Sequence, residues 1–352
     1  MSLKSRILER IHEAGPMGIA EYMTLCLLDP VDGYYPTRDP LGADGDFITA
    51  PEISQMFGEV LGLWVLQSWR DMGSPPGVKL VELGPGRGVM MGDMLRSLRL
   101  DPGFLQSASV HLVEASPALQ AVQGETLRMS PCPVLWHDRL GDVPQGPVIV
   151  VGNEYLDCLP IRQFIRQGGA WWERVVTISE DGLAFAQSTA KSSDDLGDAP
   201  NGTLTETRPA TAQLVEHLAE RFRAHSGRAL FIDYGPAESA FGDTLQALVS
   251  HVKVDPLDEP GEADLTARVD FEVFAREADR AGLTVHGPVT QAALLSRLGL
   301  EIRATALVRG NPDAQAVIGR QVKRLTSGNE MGTLFKAISL SAMHLPAPLG
   351  FT

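Results

Sequence analysis

Glu82, Gly84, Gly86 and Gly88 alternate along the run Val78-Lys79-Leu80-Val81-Glu82-Leu83-Gly84-Pro85-Gly86-Arg87-Gly88, where an apolar strand enters a glycine turn with an acid before it. Glycines so placed let the backbone take positive φ and approach a ligand, and a helix expected over Val89–Leu98 would aim its amide-rich start at the same point. Such a loop suits a nucleotide-type ligand. A dinucleotide fingerprint needs glycine at its first, third and sixth positions, but the sixth position from Gly84 is Val89. A P-loop would end in Gly-Lys-Ser/Thr, whereas the chain continues Gly88-Val89-Met90. A second acid, Glu114, closes the apolar run Val110-His111-Leu112-Val113. A carboxylate at a strand tip can accept both hydroxyls of a ribose. Ser116 and Pro117 behind it suit a helix cap and first turn, which favours that role over a merely solvated glutamate.

These residues need a parallel sheet to hold them. From Val78 the pattern alternates strand and helix: Lys79–Leu83, Val89–Leu98, Ser109–Glu114, Pro117–Arg128, Pro133–Trp136 and Pro147–Val151. That alternation predicts an α/β, Rossmann-like fold, a mostly parallel sheet with helices on both faces. It resumes with helix Ala212–His225, strand Arg228–Asp233, helix Phe271–Ala281, strand Leu283–His286, helix Gln291–Leu298 and a strand near Leu334–Leu340, for roughly seven strands. Between the halves, Gln163–Arg166 and Trp171–Val176 alternate around Gly168-Gly169 as a hairpin, with Ser188–Gly202 as a surface loop. One tryptophan of Trp171-Trp172 should be buried and the other could face a protein. Ahead of the core, Ser5–Ala14, Ile19–Leu28 and Ile53 to about Trp69 read as helices, the last preceded by a long polar loop. The expected organisation is an N-terminal helical extension with a cofactor-covering loop (1–77), a core (78–160 and 203–352) and a hairpin insertion with linker (161–202).

The 352 residues carry a formal charge of -14, spread along the chain rather than blocked. This disfavours nucleic acid and anionic membranes as partners and favours a basic protein or peptide. No uncharged run is long enough for stable membrane insertion. Three scattered cysteines, Cys26, Cys132 and Cys158, offer neither a CxxC pair nor metal-ligand spacing, so no metal is expected. Reduced, buried thiols and an N-terminus without a signal-type apolar segment predict a cytoplasmic protein.

The ExGxGxG loop matches the first motif of class I methyltransferases. Further separated motifs extend the match over nearly the whole chain: Gly45-Asp46-Phe47-Ile48-Thr49-Ala50-Pro51-Glu52-Ile53-Ser54, Asn153-Glu154-Tyr155-Leu156-Asp157-Cys158-Leu159-Pro160, Asp233-Tyr234-Gly235, Asp264-Leu265-Thr266-Ala267, Val269-Asp270-Phe271 and Met331-Gly332-Thr333-Leu334-Phe335-Lys336. With these the chain resembles the MidA family of class I methyltransferases dependent on S-adenosyl-L-methionine (SAM). That family includes the mitochondrial assembly-factor arginine methyltransferase of respiratory complex I. Tyr155, Leu156, Cys158 and Gln246 depart from the family's usual residues, and only Gln246 replaces a charged one, a frequent arginine. The resemblance implies SAM as cofactor and protein arginine as acceptor, on a complex I subunit homologous to the 49 kDa quinone-module subunit. It adds Asp46, Thr49 and Asn153 to the cofactor-binding set of Glu82, Gly84, Gly86, Gly88 and Glu114.

An arginine acceptor requires carboxylates that hold its cation and orient its nitrogen. Glu154 and Asp157 follow the fourth strand at the edge where open α/β sheets bind ligands, and in a helix start both would project to one side to grip a guanidinium. Asp157 could equally be a helix N-terminal acid. Asp233, ending the fifth strand on the same edge, is a further catalytic candidate or packs the sheet end. Asp138 could accept from an adenine amino group or terminate a turn. Asp46 and Glu52 flank the polar loop, and Tyr34, Tyr35 and Phe47 could line the pocket or belong to the core. A nicotinamide oxidoreductase and a non-catalytic assembly factor stay open as rivals, as does a homodimer.

Overall fold

Seven stretches of β-branched and aliphatic residues assemble into one twisted sheet. In a computed structural model, which describes residues 1–37, 49–250 and 252–351, the strands are β1 (Val78–Leu83), β2 (Ala108–Val113), β3 (Val134–His137), β4 (Val148–Asn153), β5 (Gly227–Tyr234), β6 (Thr284–Thr290) and β7 (Phe335–Ser341). Their order across the sheet is β6-β7-β5-β4-β1-β2-β3. Strands β1 to β5 run parallel and β7 is antiparallel to both its neighbours. The central strand β4 is buried at every position, as a strand covered on both faces must be. The mostly parallel seven-stranded sheet expected from the alternation is the one found.

The helices used below are α1 (Leu3–Ala14), α2 (Ile19–Leu28), α3 (Ala50–Ile53), α4 (Gln55–Asp71), α5 (Val89–Leu98), α6 (Pro117–Thr126), α7 (Pro209–His225), α8 (Phe271–Arg280), α9 (Leu300–Gly310) and α10 (Gln315–Thr326). On one face of the sheet, Phe57, Trp64, Met91 and Met94 of α4 and α5 pack on Leu80 and Val110. On the other, Leu218, Phe222, Phe271 and Phe274 of α7 and α8 pack on Val81, Val150 and Phe231. Helices α4 and α5 approach very closely at Gly62, where a Cβ would lie 2.1 Å from Ser97 Oγ and 2.7 Å from the Met94 carbonyl oxygen.

Around this core the elements differ from expectation in three places. The helix expected from Ile53 is divided at Ser54, whose extended backbone separates α3 from α4 and whose Oγ accepts from the Met56 amide at 3.3 Å. The hairpin around Gly168-Gly169 belongs to a five-stranded sheet that also contains Met17–Gly18, Gly182–Lys191 and Leu204–Thr207. Residues 188–191, expected in a loop, therefore extend a strand, with Ser188 Oγ accepting from the Glu173 amide. Helices α9 and α10 and a three-stranded sheet (Gln246–Val249, Val252–Val254, Asp264–Thr266) were not anticipated. A third core cluster joins Ile7, Tyr22 and Met23 of α1 and α2 to Val176 and Leu265. No helix among the described residues is long and apolar enough to cross a membrane.

Candidate active site

A cavity of about 720 Å³ opens at the C-terminal ends of β1, β2, β4 and β5, the edge at which open α/β sheets bind ligands. Gly84, Gly86 and Gly88 have φ of +60°, +53° and +79°, a backbone that side chains with a Cβ rarely adopt. The Gly84 amide donates to the Val113 carbonyl, which ties the loop to the tip of β2. Gln123 of α6 clamps the loop from behind: its Nε2 donates to the Gly86 carbonyl at 2.7 Å and to Glu114 Oε2 at 3.1 Å, while Trp136 Nε1 donates to its Oε1 at 2.9 Å. Glu114 Oε1 accepts from the Ser116 amide at 2.8 Å, and Ser116 caps α6 as its sequence suggested. Burial raises the Glu114 carboxyl above its ordinary value.

Glu82 lies at the floor, 2% exposed, and its Oε2 has no hydrogen-bond partner among the described residues. Burial alone pushes its carboxyl well above the usual range. Asn153, the last residue of β4, resembles it in having an unpartnered Oδ1 while its Nδ2 donates to Glu154 Oε1 at 3.0 Å. Asp138 stands exposed on the rim, and Thr49, the N-cap residue of α3, contributes to the wall. Asp46 and Phe47 lie outside the described residues.

Glu154 sits in the left-handed region at φ +51°, uncommon for a residue with a side chain and a conformation that clusters at functional sites. Its amide donates to the Ile232 carbonyl at 2.9 Å, and its Oε1 also accepts from the Ala50 amide at 3.2 Å, so α3 is pinned to the tip of β4. Burial, then the nearby Asp157 carboxylate, push Glu154 up to about 7. Asp157 is buried and rises to about 6, chiefly by burial and partly offset by Arg208. The helix start expected here does not form. Residues 154–158 make a turn instead, because Asp233 Oδ2 accepts from the Leu156 and Asp157 amides at 2.8 and 3.2 Å. Asp233, expected as a catalytic candidate, is fully buried and absent from the cavity wall; its Oδ1 accepts from the Tyr234 amide. The structure thus places it behind the site as the support of the turn.

Sequence reasoning offered Tyr35 as a possible lining residue but missed its partner on the wall opposite. Tyr35 donates through its hydroxyl to Asp264 Oδ1 at 2.9 Å, and both line the cavity beside Cys158. Tyr234 donates to Thr266 Oγ1 at 2.8 Å and accepts from Gln246 Nε2 at 3.1 Å. Only the separate motif around Asp264-Leu265-Thr266 hinted at this, since nothing in local spacing brings residues 35 and 264 together. Tyr34, by contrast, is a fully buried core residue, and of the tryptophan pair Trp171 is buried while Trp172 is partly exposed. Carboxylates dominate the charged groups of a largely apolar lining: Glu52, Glu82, Glu114, Asp138, Glu154, Asp157 and Asp264 stand against Arg87. Such a cavity suits a cationic ligand.

Comparisons with known proteins agree with that chemistry. The model of the family described as "Putative S-adenosyl-L-methionine-dependent methyltransferase" matches residues 60–289. The Drosophila melanogaster protein named protein arginine methyltransferase NDUFAF7 homolog, mitochondrial, is 38% identical over 99% of this chain and 86% of its own length. The human protein arginine methyltransferase NDUFAF7, mitochondrial, is 34% identical over 95% and 82%. A Burkholderia thailandensis protein solved with S-adenosyl-homocysteine bound superposes with a TM-score of 0.88 at 29% identity, covering 99% of this chain and 93% of that one. These names overturn the cytoplasmic expectation, because the similar curated proteins are mitochondrial. Reduced thiols and the lack of a signal-type apolar segment do not distinguish one reducing compartment from another, which is why the sequence misled. A glycine loop without a dinucleotide's third glycine, a cavity of carboxylates and the family match together remove the oxidoreductase alternative: the chain belongs to the S-adenosyl-L-methionine-dependent methyltransferases.

Proposed function

We propose that this methyltransferase acts on arginine side chains of a protein, and that Glu154 is the residue that presents the acceptor. The observation that carries this reading is a pair of carboxylates at the ligand edge of the sheet: Glu154, which accepts from the Ala50 amide, and Asp157, whose own amide is anchored on Asp233. The described residues fit the cofactor: Glu82 Oε2 and Asn153 Oδ1 are buried acceptors without donors, and an ammonium group and hydroxyls would supply them. Gly84, Gly86, Gly88, Glu114, Asp138 and Thr49 would complete the hold on it. SAM supplies a methyl group activated by a sulfonium.

The remaining work is alignment and proton handling by the chain itself. A guanidinium has a pKa above 12 and a poorly available lone pair. Ionised Glu154 and Asp157 hold it by charge-assisted hydrogen bonds and fix the direction of the attacking nitrogen. As that nitrogen becomes bonded to carbon it releases a proton, and Glu154, whose affinity for a proton is raised to about 7, is suited to take it. Asn153 and Ala50 fix Glu154 Oε1; Oε2 makes no hydrogen bond among the described residues. Asp233 serves as a positioning residue through the 154–158 turn.

The names of the relatives, which specify protein arginine, support this acceptor. The MidA-family resemblance supports a finer reading, in which the protein substrate is the complex I subunit homologous to the 49 kDa quinone-module subunit. Incubation of the purified enzyme and labelled SAM with that subunit should place label on arginine, located by peptide mass spectrometry. Label on lysine alone would remove the arginine reading, and labelled arginine peptides with an unlabelled subunit would remove only the finer one.

A further inference from the structure

A second cavity, of about 460 Å³, shares Pro51, Glu52 and Val89 with the first and continues past α3 to α9 and α10. Asp93 of α5 belongs to its wall and is 5% exposed. Asp93 Oδ1 is held by Arg96 Nη1 at 2.8 Å, but Oδ2 has no hydrogen-bond partner among the described residues. A buried carboxylate oxygen without a donor is destabilising until a ligand supplies one. No lysine or arginine is among the residues that line this cavity. Its aliphatic side is formed by Leu307 and Ile318. A cationic head on an aliphatic stem, as in lysine or arginine, satisfies both features.

We infer that this cavity receives a second basic side chain of the protein substrate, close in sequence to the acceptor arginine. The inference rests on the protein-arginine reading above. Helix α3 lies between the acceptor carboxylate, which its Ala50 amide contacts, and the second cavity, which its Pro51 to Ile53 line. A helix is about 10 Å across and an extended chain advances roughly 3.3 Å per residue, so the second basic residue stands about three positions from the acceptor. Burial, reinforced by Glu59 and Glu52, raises Asp93 to about 6 even though Arg96 opposes it, which agrees with a site short of positive charge.

The test uses two peptides with one arginine each, differing only in lysine or norleucine three residues away. Calorimetry on the full-length protein with S-adenosyl-homocysteine should show the lysine peptide bound about tenfold or more tightly, the effect of one charge-assisted hydrogen bond. In turnover the same preference should appear in KM with kcat unchanged. Asp93→Asn should abolish the preference while keeping affinity for SAM and methylation of the norleucine peptide. Ala314→Arg, which tethers a guanidinium at the cavity wall without touching Asp93, should abolish it too, and covers the case in which Asp93→Asn fails to fold. Equal binding of the two peptides by the wild-type protein overturns the inference, as does a preference that survives both substitutions. A lysine preference in binding with neither peptide methylated upholds the second cavity and removes the arginine-acceptor reading instead.

Discussion

Glu154 combines three local constraints: a left-handed backbone, a carboxylate oxygen fixed by the Ala50 amide and Asn153, and a proton affinity raised by burial and Asp157. Because burial raises its pKa, the neutral form dominates below about pH 7 and the ionised form above. A cationic acceptor needs the ionised form, so kcat/KM should fall as pH drops through about 7. Glu154→Gln keeps the shape, and should lower turnover about 10²- to 10⁴-fold with SAM affinity little changed and the pH limb gone. Near-normal methylation of an arginine peptide by Glu154→Gln would move the acceptor role to Asp157 or Asp264. The sequence made Glu154 legible because it follows an apolar strand directly. It did not reveal that Asp233 faces away from the cavity, because a strand-end aspartate reads the same whether it meets a ligand or three backbone amides.

The glycine loop is held in place by α5, and α5 by its contact with α4. At Gly62 an added Cβ would strike Ser97 and the Met94 backbone, and overpacking of a dense contact destabilises by about 1–3 kcal/mol. Gly62→Ala should therefore lower the thermal midpoint measurably and weaken SAM binding through a displaced α5; an unchanged midpoint would show that the helices can separate freely. The alternating core elements were readable because each strand and helix carries its own period. The division of the helix at Ser54, the N-terminal strand of the five-stranded sheet and the Tyr35 to Asp264 contact were not, because each depends on partners 100 or more residues away: Ala50 on Glu154, Met17 on Val176, Tyr35 on Asp264.

Across the whole molecule, buried acids collect on one side of the sheet edge. Glu82, Glu114, Glu154, Asp157 and Asp233 all hold protons more tightly when folded, with burial the leading cause. An unfolded carboxyl ionises near pH 4, so above that the native state binds more protons and these groups make stability fall as pH rises. His111, His137, His217 and His286, all lowered, act in the opposite sense below about pH 6.5. Glu154, raised to about 7, gives up its contribution between about pH 4 and 7, so Glu154→Gln should gain on the wild type in thermal midpoint as pH rises from about 4 to about 7 and keep a constant margin once pH is well above 7. Scanning calorimetry of both proteins over that range checks the sign. The N-terminal helices bear on a different matter, the order in which the chain is made. Tyr22 donates to the Pro256 carbonyl across 234 residues, and Tyr35 to Asp264 across 229. At roughly 5–20 residues per second of synthesis, the apolar faces of α1 and α2 wait on the order of 10–50 s for their partners to leave the ribosome. During that interval a chaperone is the natural cover for Ile7, Tyr22 and Met23, and helices made early in synthesis are among the last to be finished.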